Sequence, residues 1–287
     1  MWFSSWLRNC KSSPGARGQA QRRSAARRFR PRLEALEDRW VPSTLTVTNN
    51  LGYGVGSLRN TIAAAQSGDT IVFDPSLNGQ TIDLTTNAPP VANFVYSQLV
   101  IDKNLDIEGP GAGKLGIDAG LTSRVFEVLP GVQATIAGLT IKGGDGKFGS
   151  GFDYLPQPDD NEGGGILNHG RLTLQNCAVS GNSALLAGGG IYSDGTMTLA
   201  GCTVSADVAG ALSRGVGGGI YNAGAMTLTS CTVTGNTATF AGGGIDNATN
   251  ANLTLDHSTV TGNSPDDVYD LGKFQHNHST IGKVVRG

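Results

Sequence analysis

The chain has 287 residues, of which 15% are charged and 43 are glycine, and its formal net charge is −2. Glycine and proline together stay below the level typical of disordered chains, so the composition excludes a low-complexity polymer. The charge is uneven, because residues 1–40 contain ten Arg and Lys against three Asp and Glu while the remainder is acidic. This separation favours a basic targeting segment ahead of an acidic body and argues against a nucleic-acid-binding protein.

The first forty residues contain no apolar run long enough for a transmembrane helix or an ordinary signal peptide. An Arg-rich stretch at 27–32 leads into the string Leu33-Glu34-Ala35-Leu36-Glu37-Asp38-Arg39. This stretch resembles the N-terminal signature of planctomycete extracellular proteins, in which Leu-Glu-x-Leu-Glu-Asp-Arg precedes the mature domain. The resemblance implies that residues 1–43 form a basic, disordered export segment and that the protein is extracellular or at the cell surface. A plain basic tail or a misassigned start is the alternative.

Residues 44–76 contain short apolar segments that we expect to form an N-terminal cap. Two strand patterns, Leu45-Thr46-Val47 and Thr70-Ile71-Val72-Phe73, flank a helix expected over 57–66 with Ser57 as its N-cap. A helix with one apolar face can cover the open end of a repetitive β-structure, where core side chains and unpaired backbone groups would otherwise meet water.

A repeat organises the chain from Gly163 to Asn263. Each unit begins with a Gly-Gly-Gly-Ile string and continues with short alternating strand patterns separated by Gly, Asn or Asp. A unit of this size cannot bury its own apolar face, so it must stack on copies of itself. We therefore predict an all-β parallel β-helix over 77–265 with coils of about 25 residues, in which one isoleucine per unit lies above the next. These isoleucines are Ile166, Ile191, Ile220 and Ile245.

Two further positions of the repeat predict stacked side chains. One carries a thiol in three consecutive units and a serine in the fourth, which predicts an inward-facing row of free cysteines and not a disulfide framework. The other carries a small polar side chain two residues after each isoleucine, which predicts a hydrogen-bonded polar stack. The first set is Cys177, Cys202, Cys231 and Ser258, and the second is Asn168, Ser193, Asn222 and Asn247.

The repeat strings also carry a family resemblance. The segments 56–62 and 68–73, followed by GGGI-x-N and LTL-x-x-S/C-x-V-x-GN repeats, resemble bacterial right-handed parallel β-helix proteins. Polymorphic outer-membrane proteins and pectate-lyase-like folds share these repeats. The resemblance covers residues 44 to about 265, and the right hand of the predicted β-helix is implied by it alone.

One long insertion interrupts the repeat pattern and is the candidate ligand-binding site. Residues 145–162 separate a turn from the first Gly-Gly-Gly-Ile string, where later units need far fewer residues. Aromatic rings can stack on sugar faces, and carboxylates can bind hydroxyl groups or Ca²⁺, the one cofactor hinted at by the string 143–146. An ordinary solvated loop is the alternative. The candidate residues are Asp145, Phe148, Phe152, Asp153, Tyr154, Asp159, Asp160 and Glu162.

Residues 266–287 lie beyond the last clear repeat, and we expect them to form a C-terminal tail or cap. This segment contains His276 and His278, whose spacing along the chain matches no metal-binding signature.

Three functions fit the pattern: a structural, adhesive or carbohydrate-binding surface protein, a polysaccharide lyase or glycoside hydrolase, and an autotransporter passenger. A lyase needs a base beside a neutralised sugar carboxylate, and a hydrolase needs two nearby carboxylates. Between 163 and 263 no acidic pair recurs one coil apart with a basic partner. The sequence therefore favours a non-enzymatic β-helix without catalytic residues, whose partners are extracellular polysaccharide or cell-surface components. A carbohydrate-active enzyme is the alternative.

Overall fold

The computed structural model describes residues 42–86, 98–146, 161–210 and 214–287. Over these ranges the chain winds as a right-handed parallel β-helix, and each strand pairs with its counterparts in the neighbouring coils. The fold class predicted from the repeat is confirmed. No helix in the described ranges has the length and apolar character needed to cross a bilayer.

The elements are given in chain order. Before the repeat units they are β1 (Thr44–Val47), α1 (Leu58–Ala64), β2 (Asp69–Phe73), a 3₁₀ turn (Pro75–Leu77), β3 (Gln80–Asp83), β4 (Leu99–Ile101), β5 (Leu105–Glu108), β6 (Leu115–Asp118), β7 (Phe126–Val128), β8 (Gln133–Ala137) and β9 (Thr140–Lys142). The repeat units contain β10 (Ile166–Asn168), β11 (Arg171–Gln175), β12 (Ala178–Ser180), β13 (Ser183–Ala184), β14 (Ile191–Ser193), β15 (Thr196–Ala200), β16 (Thr203–Ser205), β17 (Val208–Ala209), β18 (Ile220–Asn222), β19 (Ala225–Thr229), β20 (Thr232–Thr234), β21 (Thr237–Ala238), β22 (Ile245–Asn247), β23 (Asn252–Asp256) and β24 (Thr259–Thr261). The last described coil contains β25 (Val268–Asp270), β26 (Lys273–Asn277), β27 (Thr280–Ile281) and β28 (Val284–Arg286).

The strands of the described residues form three long walls and one short one. Sheet A has the order β1-β2-β5-β8-β11-β15-β19-β23-β26. Sheet B has the order β3-β6-β9-β12-β16-β20-β24-β27, and sheet C has the order β4-β7-β10-β14-β18-β22-β25-β28. Sheet D is the short row β13-β17-β21, which lies in the chain between sheet B and the Gly-Gly-Gly-Ile strings.

The four repeat isoleucines form one column inside sheet C. Ile166 pairs with Ile191, Ile191 with Ile220 and Ile220 with Ile245 as direct partners on neighbouring strands. All four side chains are fully buried, and burying each contributes about 1.5–3 kcal/mol relative to exposure. The predicted register is confirmed, and Phe126 extends the column on the preceding strand.

The two predicted ladders are also present. Cys177 donates its backbone N–H to Cys202 Sγ at 3.5 Å, and Cys202 donates to Cys231 Sγ at 3.4 Å. All three thiols are free and buried. The hydrogen bond with Cys202, together with burial, raises the pKa of the Cys177 thiol. Because all three side chains are buried, the row packs as part of the core.

The polar ladder joins neighbouring strands of sheet C through side-chain amides. Asn168 Nδ2 donates to Ser193 Oγ at 2.9 Å, and Asn222 Nδ2 donates to Asn247 Oδ1 at 2.8 Å. Asn247 in turn donates to Asp270 Oδ1 at 2.8 Å. These buried polar groups are satisfied within the stack, so they fix the register of the coils.

The two ends of the described solenoid differ from the central repeat. Ser57 Oγ accepts the N–H of Asn60 at 3.3 Å and caps α1, and the buried side chains of Leu58 and Ile62 face the core. Residues 266–287, which we expected to form a tail or cap, continue sheets A, B and C as β25 to β28. In this last coil β26 and β28 are mostly exposed, whereas Val268 and Asp270 of β25 are buried.

Candidate functional site

The inserted loop leaves and returns to the solenoid at one point. Asp145 donates its N–H to the Ser123 carbonyl at 2.8 Å, and Gly146 donates to the Ser183 carbonyl at 2.8 Å. On the returning side, Asn161 donates its N–H to the carbonyl of Gly146 at 2.9 Å. The two stems of the loop are thus joined to each other as well as to the neighbouring coil.

A buried arginine holds both stems of the loop. The side chain of Arg124 is only 2% exposed. Its Nε donates to the carbonyl oxygen of Glu162 at 2.8 Å, and its Nη2 lies 3.5 Å from the carbonyl oxygen of Gly146. A buried guanidinium needs such acceptors to offset its lost hydration. Arg124 therefore supports the base of the loop, a role that the sequence analysis missed because its coil is irregular.

Beside the loop, the outward face of sheet C carries a row of tyrosines and one acid. Tyr192 pairs with Tyr221, Tyr221 with Asp246 and Asp246 with Tyr269 in successive strands. The rings of Tyr192 and Tyr221 lie 5.1 Å apart at an interplanar angle of 15°, so they are stacked. We call this row, from Tyr192 to Tyr269, the tyrosine column.

Asp246 is unusual because its carboxyl group is buried within the column. Its exposed fraction is 3%, and burial, with the negative charge of Asp266, raises the pKa of Asp246 to about 7. Burial also raises the pKa of Tyr221, as do the negative charges of Asp246 and Glu162. Glu162 at the base of the loop is therefore within electrostatic range of the tyrosine column, and the two features form one surface.

The glycine triplets allow the backbone to pass close to the strands that carry the tyrosine column. The first glycine of the third triplet, Gly217, has φ +62°, and a Cβ there would lie 2.4 Å from the Ile220 carbonyl oxygen and 2.9 Å from Tyr221 Cα. Only glycine leaves room for the backbone to cross so close to the tyrosine column. The triplets are thus required by the packing of the corner and not only by the turn.

A second polar row lies on the outward face of sheet B, next to the other side of the loop. Asp83 pairs with Asp118, and Asp118 pairs with Lys142, on successive coils. Lys142 Nζ lies 3.5 Å from Asp118 Oδ2, and both side chains are partly exposed. Asp83, Asp118 and Lys142 thus occupy one row on the irregular coils, and Lys142 lies three residues before Asp145.

Of the eight residues predicted for the site, the structure describes Asp145 and Glu162. It places both at the base of the insertion, where Asp145 is 8% exposed and bridges to Ser183. Phe148, Phe152, Asp153, Tyr154, Asp159 and Asp160 lie outside the described residues, so their binding role stays a prediction. The tyrosine column was missed, although Tyr192, Tyr221 and Asp246 each follow a repeat isoleucine directly and could have been found by aligning the units.

No family model matches the chain, and no curated protein matches it. Among solved structures, the chain is similar to the crystal structure of pectate lyase Pel9A, with a TM-score of 0.51 and 13% sequence identity. The alignment covers 82% of this chain and 62% of that chain, so the protein spans less than two thirds of its neighbour. At this identity the likeness is one of fold, and fold and surface together define a parallel β-helix protein with an aromatic and acidic outer face.

Proposed function

We propose that the protein is an exported or cell-surface β-helix that binds polysaccharide on the tyrosine column without cleaving it. The observation that carries the proposal is the stacked pair Tyr192 and Tyr221, in register with Asp246. Export is supported by the sequence pattern of residues 1–43, of which 1–41 lie outside the described residues. The pectate lyase neighbour supports a fold on which a long polymer can be bound along the coils.

The chemistry of the tyrosine column suits a sugar chain. Half-buried aromatic rings offer apolar surface for the C–H groups of a pyranose. Successive coils are about 4.8 Å apart, so equivalent side chains recur along the axis as sugar hydroxyls recur along a polymer. Glu162 and Asp246 supply the few polar groups that fix the orientation of a ligand on a mainly apolar surface.

We expect Tyr192→Ala and Tyr221→Ala each to weaken binding of a polyuronate, such as polygalacturonate, by at least about tenfold. The reason is the loss of one ring from a stacked pair that is already ordered before the ligand arrives. Isothermal titration with oligosaccharides of defined length measures the effect. Thr227→Ala is the matched control, since Thr227 lies in the same coil on the outward face of sheet A. Equal losses in all three variants would contradict the proposal.

The pH dependence of polyuronate binding tests the role of Asp246. Since the pKa of Asp246 is about 7, its carboxyl group is protonated below that value and can donate a hydrogen bond. Above it, the negative charge repels an acidic polymer. Wild-type protein should bind polyuronate more tightly at about pH 5.5 than at about pH 8.5, and Asp246→Asn should remove that difference. A neutral glucan should show little pH dependence in either protein.

The second candidate function is a polysaccharide lyase, which is favoured by the row of Asp83, Asp118 and Lys142. A lyase needs a base, and a cation or basic group that neutralises the sugar carboxylate. Fold alone licenses no chemistry, and Lys142 is engaged with Asp118. Incubation of the full chain with polygalacturonate, with and without Ca²⁺, distinguishes the two functions. Our proposal expects no unsaturated product, whereas product formation that is lost in Lys142→Met would replace it with the lyase.

A further inference from the structure

A cluster of metal-ligating side chains lies far along the chain from the inserted loop. Asp256, His257 and His278 each offer a ligand atom, and these atoms all lie within 4.8 Å of one another. His257 and His278 are exposed and Asp256 is partly buried. The cluster sits where the chain turns from sheet A to sheet B, in the last two described coils.

The register of sheet A brings the cluster together. Asp256 pairs with Asn277 as a direct partner between β23 and β26, so the residues that follow, His257 and His278, lie one above the other. Their rings are stacked, with centroids 4.8 Å apart and an interplanar angle of 22°. Because the two histidines belong to different coils, their spacing along the chain shows no metal signature. The sequence favoured a tail or cap for this segment and assigned no metal ligand in it, whereas this geometry makes His278 a candidate ligand.

The backbone at the corner that carries His257 and His278 has a left-handed conformation. His257 and His278 have φ of 47° and 45°, in the left-handed region that residues other than glycine seldom adopt, although Asn, Asp and His do so more often than the rest. The corresponding corners of earlier coils carry Asn176 at φ 51°, Gly201 at φ 62° and Ser230 at φ 54°. The last two coils thus place imidazole rings at a corner that the earlier coils also hold in the left-handed conformation.

We propose that Asp256, His257 and His278 bind a divalent transition-metal ion, Zn²⁺ being the best fit. Zn²⁺ takes imidazole nitrogen and carboxylate oxygen at about 2.0–2.2 Å and is commonly four-coordinate, so three protein ligands and one water complete the site. Ca²⁺ and Mg²⁺ prefer six or more oxygen ligands and do not match this donor set.

The cluster needs only side-chain movement to close on the ion. Tetrahedral zinc places its ligand atoms roughly 3.3 Å apart, and His257 Nδ1 already lies 3.0 Å from Asp256 Oδ1. Asn277 Nδ2 donates to the same oxygen at 3.2 Å, which orients the carboxylate from the neighbouring coil. The side chain of His257 is 60% exposed, so it can rotate without disturbing the core.

The bound ion joins two coils at a weakly packed part of the solenoid. Asp256 and His257 precede β24, whereas His278 precedes β27 in the last coil. Phe274 and His276 of β26 occupy the register of the core residues Leu253 and Leu255 but remain partly or fully exposed. A cross-coil ligand therefore stabilises strands that have little buried surface of their own.

Titration of the metal-free full-length protein with ZnCl₂ at about pH 7.5 tests the site, at a pH where imidazole is mostly neutral. We expect one site per chain, and His257→Asn or His278→Asn should weaken binding at least about tenfold, as loss of even an outer-shell partner costs 10- to 100-fold. Asparagine keeps the left-handed corner, because Asn176 occupies the equivalent position. His276→Asn is the matched control and should bind like wild type. Ca²⁺ should not compete.

Two further measurements keep the test independent of overall stability. Zn²⁺ should shift the ring C–H resonances of His257 and His278 while leaving those of His276 and His169 in place. At a free zinc concentration ten times Kd, hydrogen exchange of the β27 amides through opening of the last coil should slow about tenfold in wild type and not in His278→Asn. Absence of binding, or binding that both asparagine variants retain, overturns the proposal.

Discussion

Asp207→Asn is expected to raise the free energy of unfolding by about 2–4 kcal/mol at about pH 8 and by less than about 1 kcal/mol at about pH 4. Asp207 is a fully buried carboxyl group in a ladder whose adjacent members are Asn182 and Asn236. The variant supplies the amide that every neighbouring coil has. Urea unfolding at the two pH values, followed by circular dichroism, measures the difference.

The ladder shows what the carboxyl group lacks. Asn182 donates through both its backbone N–H and Nδ2 to Asp207 Oδ1, at 2.8 and 2.9 Å. Asn236 Nδ2, one coil further, donates to the Val204 carbonyl at 3.0 Å. Asp207 occupies the register position of Asn236 in the preceding coil, and its buried Oδ2 has no hydrogen-bond partner. A carboxylate oxygen cannot donate, whereas the amide of asparagine can.

The pH dependence follows from the direction of the pKa shift. Burial raises the pKa of Asp207 from 3.8 to about 7, although hydrogen bonds from Asn182 oppose the rise. The proton therefore binds the folded state more tightly than the unfolded state. The stability that it contributes is complete below about pH 3.8 and is lost as the pH rises to about 7. At about 1.4 kcal/mol per pKa unit, the loss has an upper bound of roughly 4 kcal/mol.

The reciprocal variant is the control for this prediction. Asn236→Asp places a carboxyl group in the same ladder, one coil away, and should import the same pH-dependent loss of stability. The side chains that face Asp207 are the uncharged amides of Asn182 and Asn236, so no charged neighbour complicates the comparison. An equal effect of Asp207→Asn at both pH values would show that the carboxyl group does not titrate in the folded protein.

The coil architecture could be predicted from the sequence because the fold repeats its own register. When the same side chain recurs in every coil, as Ile191 and Ile220 do, the spacing along the chain predicts which residues stack on one another. The thiol row and the polar ladder follow from the same rule. Every residue of these columns faces inward or sideways between coils, where identical environments demand identical side chains.

The candidate surfaces could not be predicted in the same way. Outward positions differ from coil to coil, so Tyr221 and Asp246 share a column without sharing a side chain. On the irregular coils the strand register could not be predicted from the sequence, so neither the role of Arg124 nor the row that ends at Lys142 could be identified. In the last coil the Gly-Gly-Gly-Ile string is missing from the sequence, so His278 could not be aligned with its neighbour before the sheets were known.

Gly217→Ala is expected to lower the free energy of unfolding by about 3 kcal/mol or more, whereas Gly235→Ala should lower it by only about 1–2 kcal/mol. Both glycines have a left-handed backbone, with φ of +62° and +67°, so both variants incur the conformational penalty. A Cβ at Gly235 would meet nothing within 4 Å, but at Gly217 it would lie 2.4 Å from the Ile220 carbonyl oxygen. The difference between the variants therefore isolates the close approach of two backbone segments.

The same comparison links the glycine triplet to the proposed binding surface. Relief of the clash requires a shift of the backbone around Ile220, and Tyr221 Cα is another of the atoms that the new Cβ would meet, at 2.9 Å. Gly217→Ala should therefore weaken polyuronate binding even under conditions where the protein stays folded, because the stacked ring of Tyr221 is displaced. Gly235→Ala should bind like wild type. Equal stability losses in the two variants would mean that the corner has room for a methyl group, and that the triplets serve only the turn.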